Sequence, residues 1–442
     1  MPVRYHLWVS GCQMNDSDAR WLADTLDNAG MAPAERCEDA QVAILYTCSV
    51  RQSAENRAHG QLGHLKSLKA RRPGMVLCVT GCMAGADSSE LQRRYPFVDL
   101  FVGPSEMERL PGLILSATQA LESCAPREES YASEVPVSAG VTAIRGCDKF
   151  CSYCIVPYRR GPQRSRTRQE VVAEAQALLG RGAREIVLLG QTVDAWGCDL
   201  TPPETLSSLL RAVADLPGLA RLRFLTSHPN DFTPDLIQAM AEIPPLCEEL
   251  NLPIQAGDDE VLRRMARRYT VPQYLALVDE IRRAIPDVAL STDLIVGFPG
   301  ESEQQFQRSM EVLRQVEFDV VHVAAYSPRP GTAAARKMED TVPAEEKKRR
   351  LHLVEELQTS IATRRNSRLV GEKVEVLVEH KEKGKWSGRT RSNKLVFFES
   401  DDNLSGRLVT VAIDGAGPWS LRGTLVDGGN ETGREGRSTP RR

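Results

Sequence analysis

Arg145-Gly146-Cys147-Asp148-Lys149-Phe150-Cys151-Ser152-Tyr153-Cys154 is the stretch on which the reading of this chain turns. Its cysteines stand in the spacing CxxxCxxC, with no fourth close behind. Four thiolates would close a zinc site or saturate a cubane iron–sulfur cluster. Three on one short loop hold three irons of a 4Fe-4S cluster and leave the fourth iron open to a small molecule. A structural zinc loop completed by a distant ligand also satisfies the spacing.

Immediately upstream, residues 141–145 read as a buried strand that runs into Cys147. Further candidate strands follow at 185–189, 222–226, 249–254, 290–296 and 320–325, with helical patterns at 168–181, 205–215, 272–284 and 303–316. Strand–helix alternation predicts a parallel sheet. Six units fall short of the eight of a closed barrel, so the central region is predicted to be a partial (β/α)6 barrel with the cysteine loop after its first strand.

The same alternation precedes it. Strands are predicted at 5–10, 42–46, 75–80 and 97–102, with helices at 18–29 and 52–69, giving an N-terminal doubly wound parallel sheet. Cys12, Cys48 and Cys82 each stand two residues past a predicted strand end. Strands of an open parallel sheet share one carboxyl edge, where ligand crevices form, so these cysteines are expected to converge on a second three-cysteine site. Any one of them taken singly reads as a buried structural thiol.

Residues 123–139, rich in Glu, Ser, Ala and Pro, read as a linker. A charged helix from 344 to about 365 leads out of the barrel. Short strands at 373–379, 386–390, 396–398, 408–414 and 421–426, with glycines 384, 388, 406 and 415 at the turns, predict a small antiparallel β-barrel. The α/β chain thus divides into 1–122, a linker 123–139, a core 140–366, a small barrel 367–428 and a disordered tail 429–442.

Composition agrees with a globular protein: 442 residues, 41% hydrophobic and 26% charged. No apolar run is long enough to cross a bilayer, and the N-terminus lacks a signal-peptide layout, so a cytoplasmic place is expected. Eleven cysteines in such a chain point to metal or catalysis rather than disulfides. From residue 361 on there are 16 Lys and Arg against 11 Asp and Glu, a local +5 on a chain of net charge −3. That leaves −8 for residues 1–360. A basic appendage on an acidic body fits a polyanion partner, and a solvated charged surface fits the same numbers.

Further short motifs sharpen the picture. They are Gly11-Cys12-Gln13-Met14-Asn15, Thr47-Cys48-Ser49-Val50-Arg51 and Gly81-Cys82 in the first region. In the core they are Tyr153-Cys154-Ile155-Val156-Pro157-Tyr158, Thr226-Ser227-His228-Pro229 and Val296-Gly297-Phe298-Pro299-Gly300-Glu301. On these the chain resembles, over nearly its whole length, the radical-SAM (S-adenosyl-L-methionine) methylthiotransferases. The C-terminal barrel resembles a TRAM domain, an RNA-binding module. The residues after Cys12 and Cys48 resemble the MiaB type, which acts on N6-dimethylallyladenosine in tRNA. A departure lies at Thr192-Val193-Asp194-Ala195-Trp196, where some relatives carry asparagines.

The resemblance implies two 4Fe-4S clusters. One, on Cys147, Cys151 and Cys154, binds S-adenosyl-L-methionine and yields a 5′-deoxyadenosyl radical. The other, auxiliary cluster, on Cys12, Cys48 and Cys82, supplies or carries sulfur. The implied product is 2-methylthiolated N6-dimethylallyladenosine at position 37, beside the anticodon. Carbon 2 of adenine is neither acidic nor electrophilic, which is why a carbon radical is needed; the cofactors do that chemistry and the protein positions them. Implied partners are the tRNA anticodon stem-loop and an electron donor such as flavodoxin or ferredoxin, with the chain a monomer.

Tyr153, Gln191, Ser227, His228 and Gln255, at the loop and strand ends, are candidates for contacts to the cofactor; simple loop packing explains Tyr153 equally, and structural hydrogen bonding at strand ends the other four. Asp293, inside a strand, reads as a buried polar partner. Arg159, Arg160 and Arg164 are expected to engage RNA phosphates; Arg166 and Arg168 fit RNA or the start of a helix. In the small barrel, Lys383, Lys385, Arg389 and Arg391 interleave with aromatics as RNA surfaces do, and alternation puts one of Phe397 and Phe398 inside. Two rivals remain: the same chemistry on threonylcarbamoyl-adenosine tRNA or a ribosomal protein, and a non-catalytic iron–sulfur RNA-binding protein.

Overall fold

The computed structural model describes residues 2–11, 13–48, 52–85, 89–119 and 135–427. Cys12, residues 49–51, most of the expected linker and the expected tail 429–442 lie outside them. The chain forms two compact units, Met1–Leu357 and Gln358–Arg442.

The first unit opens with β1 (Arg4–Val9), α1 (Gln13–Asn28), β2 (Ala32–Pro33), β3 (Val42–Thr47), α2 (Gln52–Arg71), β4 (Val76–Gly81), α3 (Ser89–Arg94), β5 (Leu100–Val102) and α4 (Leu110–Gln119). All pairings in this sheet are parallel and the order is β2-β1-β3-β4-β5. β3 and β4 are buried throughout, as central strands covered on both faces must be. Leu22 and Leu26 of α1 join Leu110 and Ile114 of α4 in one core; Leu62, Leu65 and Leu68 of α2 build a separate one. The doubly wound sheet is therefore present. Its first helix starts at Gln13, directly after Cys12, and not at residue 18.

Next come β6 (Ser138–Thr142), β7 (Ile144–Arg145), α5 (Val156–Arg160), β8 (Arg164–Ser165), α6 (Arg168–Gly180), β9 (Glu185–Leu189), α7 (Leu206–Ala214), β10 (Arg221–Phe224), α8 (Pro234–Glu242) and β11 (Glu249–Asn251). They continue with α9 (Asp259–Arg264), α10 (Val271–Ala284), β12 (Ala289–Val296), α11 (Glu303–Val316), β13 (Val320–Ala325), α12 (Ala333–Lys337) and α13 (Ala344–Ser367), whose residues from Gln358 on belong to the second unit. Strands β6, β9 and β10 pair in parallel, as do β11, β12 and β13. A parallel bridge, Leu222↔Leu246, and the bond from Ser227 N to Asn251 O (3.3 Å) join the two sets. This is the open six-stranded barrel, its helices begun by capping boxes at Thr167, Thr270 and Ser302.

Two details differ from expectation. The first barrel strand begins at Ser138, inside the span read as linker. The span 141–145 is split, because β7 leaves the barrel to pair antiparallel with β8 and ties the two ends of the cysteine loop together. At the opposite end of the strands, buried Arg223 bonds Glu185 (2.8 Å) and Glu249 (2.7 Å), so these three charges satisfy one another.

The second unit holds β14 (Lys373–Glu382), β15 (Lys385–Arg389), β16 (Leu395–Glu399), β17 (Leu408–Ala416) and β18 (Leu421–Asp427), closed in the order β14-β15-β16-β18-β17. Four of the five pairings are antiparallel. The pair β16–β18 is parallel, which corrects the purely antiparallel expectation. Phe398 is buried in this core beside Trp386 and Phe397 faces solvent. Phe398→Ala should therefore cost about 3–5 kcal/mol of barrel stability in chemical denaturation, and Phe397→Ala less than about 1 kcal/mol. Among the described residues no helix is long and apolar enough to cross a membrane.

Candidate metal centres

The cysteine loop is built on a close backbone approach. Gly146 has φ +75°, and a Cβ there would lie 2.0 Å from Pro162 O, so only glycine fits. Cys147 N donates to Gly161 O at 3.3 Å and Cys154 N to Cys151 O at 3.0 Å. Ser152 anchors the loop to the end of α9, through N to Met265 O (3.0 Å) and Oγ to Arg264 O (2.8 Å). Cys147 Sγ lies 3.3 Å from Thr192 Oγ1, and Arg267 Nη1 donates to Cys151 Sγ at 3.6 Å.

Burial, and then repulsion from Cys151 and Cys147, pushes the bare Cys154 thiol up to about 12, so a metal must displace its proton. The thiols are near enough to repel one another. Zinc needs its sulfurs about 2.3 Å from a single centre, whereas a cubane takes one thiolate at each separated corner. The donor set fits the cluster.

Beside Cys154 lies a cavity of about 530 Å³, with Tyr153, Gln255, Asp293, His322, Tyr326 and Arg329 in its wall. Thr226 and Gln255, at strand ends, hold φ of 74° and 70°, left-handed values that side-chain-bearing residues rarely adopt outside constrained sites. Asn251 Nδ2 donates to Asp293 at 3.2 Å, so Asp293 is partnered as expected and also faces the cavity. Arg329 Nη1 bonds Glu55 of α2 at 3.0 Å, bringing the N-terminal sheet's helix to the cavity rim.

Gln191, Ser227 and His228 do not line this cavity. Gln191 Oε1 and Ser227 Oγ are buried and unpartnered, and Gln191 adjoins Thr192 at Cys147. His228 serves its own turn: its N donates to Asp194 (2.7 Å) and its Nδ1 accepts from Asn230 N (3.3 Å). Burial, then Arg267 and Lys149, lowers its imidazole to about 2. Unfolded, it titrates near 6.5. The folded value is the lower one, so its contribution to stability is complete above pH 6.5 and is lost as pH falls. Between pH 7 and 5 the native protein should lose about 2 kcal/mol more than a His228→Asn variant, read by urea unfolding at each pH.

At the N-terminal sheet, Cys48 and Cys82 stand one residue past β3 and β4, both buried. Thr47 is in register with Gly81, which sets the two cysteines side by side. A Cβ on Gly11 (φ +143°) would lie 2.7 Å from Cys48 Cβ, so the residue before Cys12 abuts Cys48. The β1/β3 border is the point where strand order reverses, the position at which open α/β sheets bind ligands. Asn15 braces it, donating to Ser10 O (2.7 Å) and Thr47 O (3.1 Å).

Arg160 leaves the expected RNA-contact set. It is buried, and its guanidinium bonds Asp18 (3.1 Å), Asn15 Oδ1 (3.1 Å) and Cys82 Sγ (3.3 Å), facing the N-terminal sheet. Arg164 is exposed and Arg159 half-buried against Gly85. Arg166 pairs with Glu174 and Arg168 with Glu204. In the second unit, Lys383 is 90% exposed on a turn, Lys385 faces Glu399 (3.4 Å), and Arg389 bonds Asn393 Oδ1 (3.0 Å). Arg391 is half-buried on the loop after β15. Exposed Trp419, which no sequence motif marks, stands on the loop before β18.

Successive stretches match the Uncharacterized protein family UPF0004 (residues 4–103), the Radical SAM superfamily (141–313) and the TRAM domain (367–426). The chain is 46% identical to a tRNA-2-methylthio-N(6)-dimethylallyladenosine synthase of Dehalococcoides mccartyi, over 96% of this chain and 98% of that protein. Proteins of the same name from Roseiflexus sp. and Geobacillus kaustophilus are 48% and 41% identical. The alignments cover 96% and 98% of this chain, and 90% and 84% of theirs. Among solved structures, the radical S-adenosylmethionine methyltransferase TsrM from Kitasatospora setae, with cobalamin and a 4Fe-4S cluster bound, superposes with a TM-score of 0.56. It shares 13% identity over 88% of this chain and 81% of that one, a likeness of fold.

Proposed function

The chain belongs to the radical-SAM tRNA methylthiotransferases named tRNA-2-methylthio-N(6)-dimethylallyladenosine synthases, and from that membership we propose how its own residues divide the work. It is a tRNA-modifying transferase that uses S-adenosyl-L-methionine and 4Fe-4S chemistry. Our reading is that it carries two clusters and methylthiolates carbon 2 of N6-dimethylallyladenosine at position 37. The observation that carries it is the pair of cysteine groups, one on the barrel loop and one at the sheet's switch point.

When bound, the loop cluster and S-adenosyl-L-methionine supply the carbon radical, and the second cluster the sulfur. Cys147, Cys151 and Cys154 hold the first; Cys12, Cys48 and Cys82 hold the second. Tyr153 and Gln255 meet the cofactor in the 530 Å³ cavity, with Asp293, Tyr326 and Arg329 completing its polar wall. Gln191, next to Thr192 at Cys147, and Ser227 offer unpartnered side-chain oxygens. His228 holds the strand-end turn that presents Ser227 and so acts on the cofactor only indirectly.

Arg159 and Arg164 are assigned to RNA phosphates, and Lys383, Lys385, Arg389 and Arg391 to RNA at the TRAM surface. The division 1–122, 123–139, 140–366, 367–428 and 429–442 is retained as the proposed domain plan. A flavodoxin- or ferredoxin-type reductant, a monomer and a cytoplasmic site of action complete the proposal.

Mass spectrometry of tRNA nucleosides tests it, after anaerobic incubation of reconstituted protein with reductant and tRNA bearing N6-dimethylallyladenosine. The expected result is a gain of one methylthio group on that nucleoside and none on unmodified adenosine. Formation of 5′-deoxyadenosine with the nucleoside unchanged would move the substrate elsewhere.

A further inference from the structure

Asp18 grips both ends of the cysteine loop. Its Oδ1 accepts from Arg145 Nη2 (3.3 Å), two residues before Cys147. Its Oδ2 accepts from Arg160 Nη1 (3.1 Å), six residues after Cys154, and from Tyr46 Oη (3.0 Å). Asp18 lies on α1, which starts immediately after Cys12. Arg160 also gives Nη2 to Asn15 Oδ1 (3.1 Å) and Nε to Cys82 Sγ (3.3 Å). Asp18 and Arg160 are 1% and 8% exposed.

A buried pair of this kind does little for net stability compared with apolar packing, so its value lies in the geometry it fixes. Here it joins the sulfur of one cysteine group to the segment that carries the other.

We propose that Arg160 is a positioning residue for the auxiliary site, holding the Cys82 sulfur by a charge-assisted N–H···S bond and locking it to the loop of Cys147, Cys151 and Cys154. The inference rests on Cys82 being a cluster ligand. Hydrogen bonds and positive charge at a ligating sulfur favour the reduced, more negative cluster and raise its potential. Arg160 therefore sets the reducibility of the auxiliary cluster as well as its placement.

The test uses full-length protein carrying Cys147→Ala, Cys151→Ala and Cys154→Ala, so that only the auxiliary site loads, reconstituted anaerobically and titrated potentiometrically with EPR detection. In that background Arg160→Gln combined with Asp18→Asn removes both charges together and leaves neither buried alone. The expected result is unchanged iron loading and a more negative midpoint. At the parent's midpoint the reduced-to-oxidised ratio falls about tenfold, equivalent to about 59 mV for one electron. Arg160→Lys, which keeps charge but not the fork, should fall between. An unchanged midpoint in either loaded variant overturns the proposal. Failure of the Arg160-intact background to load any iron overturns the ligand reading itself, and the two failures are told apart by iron analysis alone.

Discussion

Replacing Cys154 with serine is expected to abolish reductive cleavage of S-adenosyl-L-methionine and, with it, every product. Cys154 sits at the junction of loop and cavity: its backbone N closes the turn on Cys151 O, and its side chain faces the 530 Å³ space. A serine hydroxyl is a hard, weakly acidic donor that does not replace a soft thiolate on iron. Disturbing an outer-shell partner typically costs ten- to a hundredfold; loss of the ligand itself should exceed about a hundredfold. Assay of 5′-deoxyadenosine under dithionite reads this directly. Cys198→Ser is the control, since Cys198 is exposed and bonded to Gln163 on the outside of the loop. Retained cleavage in Cys154→Ser would remove the loop from the chemistry.

Cys48→Ala is expected to do the reverse: cleavage of S-adenosyl-L-methionine continues and methylthiolated nucleoside falls below detection. Cys48 lies at the end of β3, beside Cys82 and Gly11, and takes no part in the wall of the 530 Å³ cavity. Removing one small buried thiol there should cost the fold about 1 kcal/mol. The barrel loop keeps its ties to Met265, Gly161 and Thr192. Joint measurement of 5′-deoxyadenosine and nucleoside in one reaction separates the outcomes. Equal loss of both would mean that the sheet edge supports the barrel structurally instead of supplying sulfur.

Much of this was legible because alternation of buried strands and helices is a local signal. The strands that place Cys48, Cys82 and Cys147 were found within a few residues, and the small barrel's buried Phe398 followed from period-two alternation. What escaped notice depends on pairing between distant segments. Asp18 and Arg160 are 142 residues apart, and nothing in either stretch of sequence points to the other. The sequence therefore groups Arg160 with its RNA-facing neighbours, although its side chain points inward. The only local hint was Asn15 and Asp18 recurring at helical spacing just after Cys12, a polar pair on what became a buried face.

Other misses have similar causes. The hairpin of β7 and β8 is two residues long on each side, too short for periodicity to register. The parallel pairing of β16 with β18 is set by chain crossing rather than by composition. Arg329 belongs to the cavity because α2 supplies Glu55 to hold it, a relation across 274 residues.

Iron counting is the most direct measurement on the claim that two separate cluster sites share this chain. Anaerobically reconstituted protein should hold about eight irons per chain. Removing either the Cys147, Cys151, Cys154 group or the Cys12, Cys48, Cys82 group should leave about four, with the remaining cluster visible by Mössbauer spectroscopy. Full iron retention after loss of Cys12, Cys48 and Cys82, or complete loss of iron with either group removed, would contradict it.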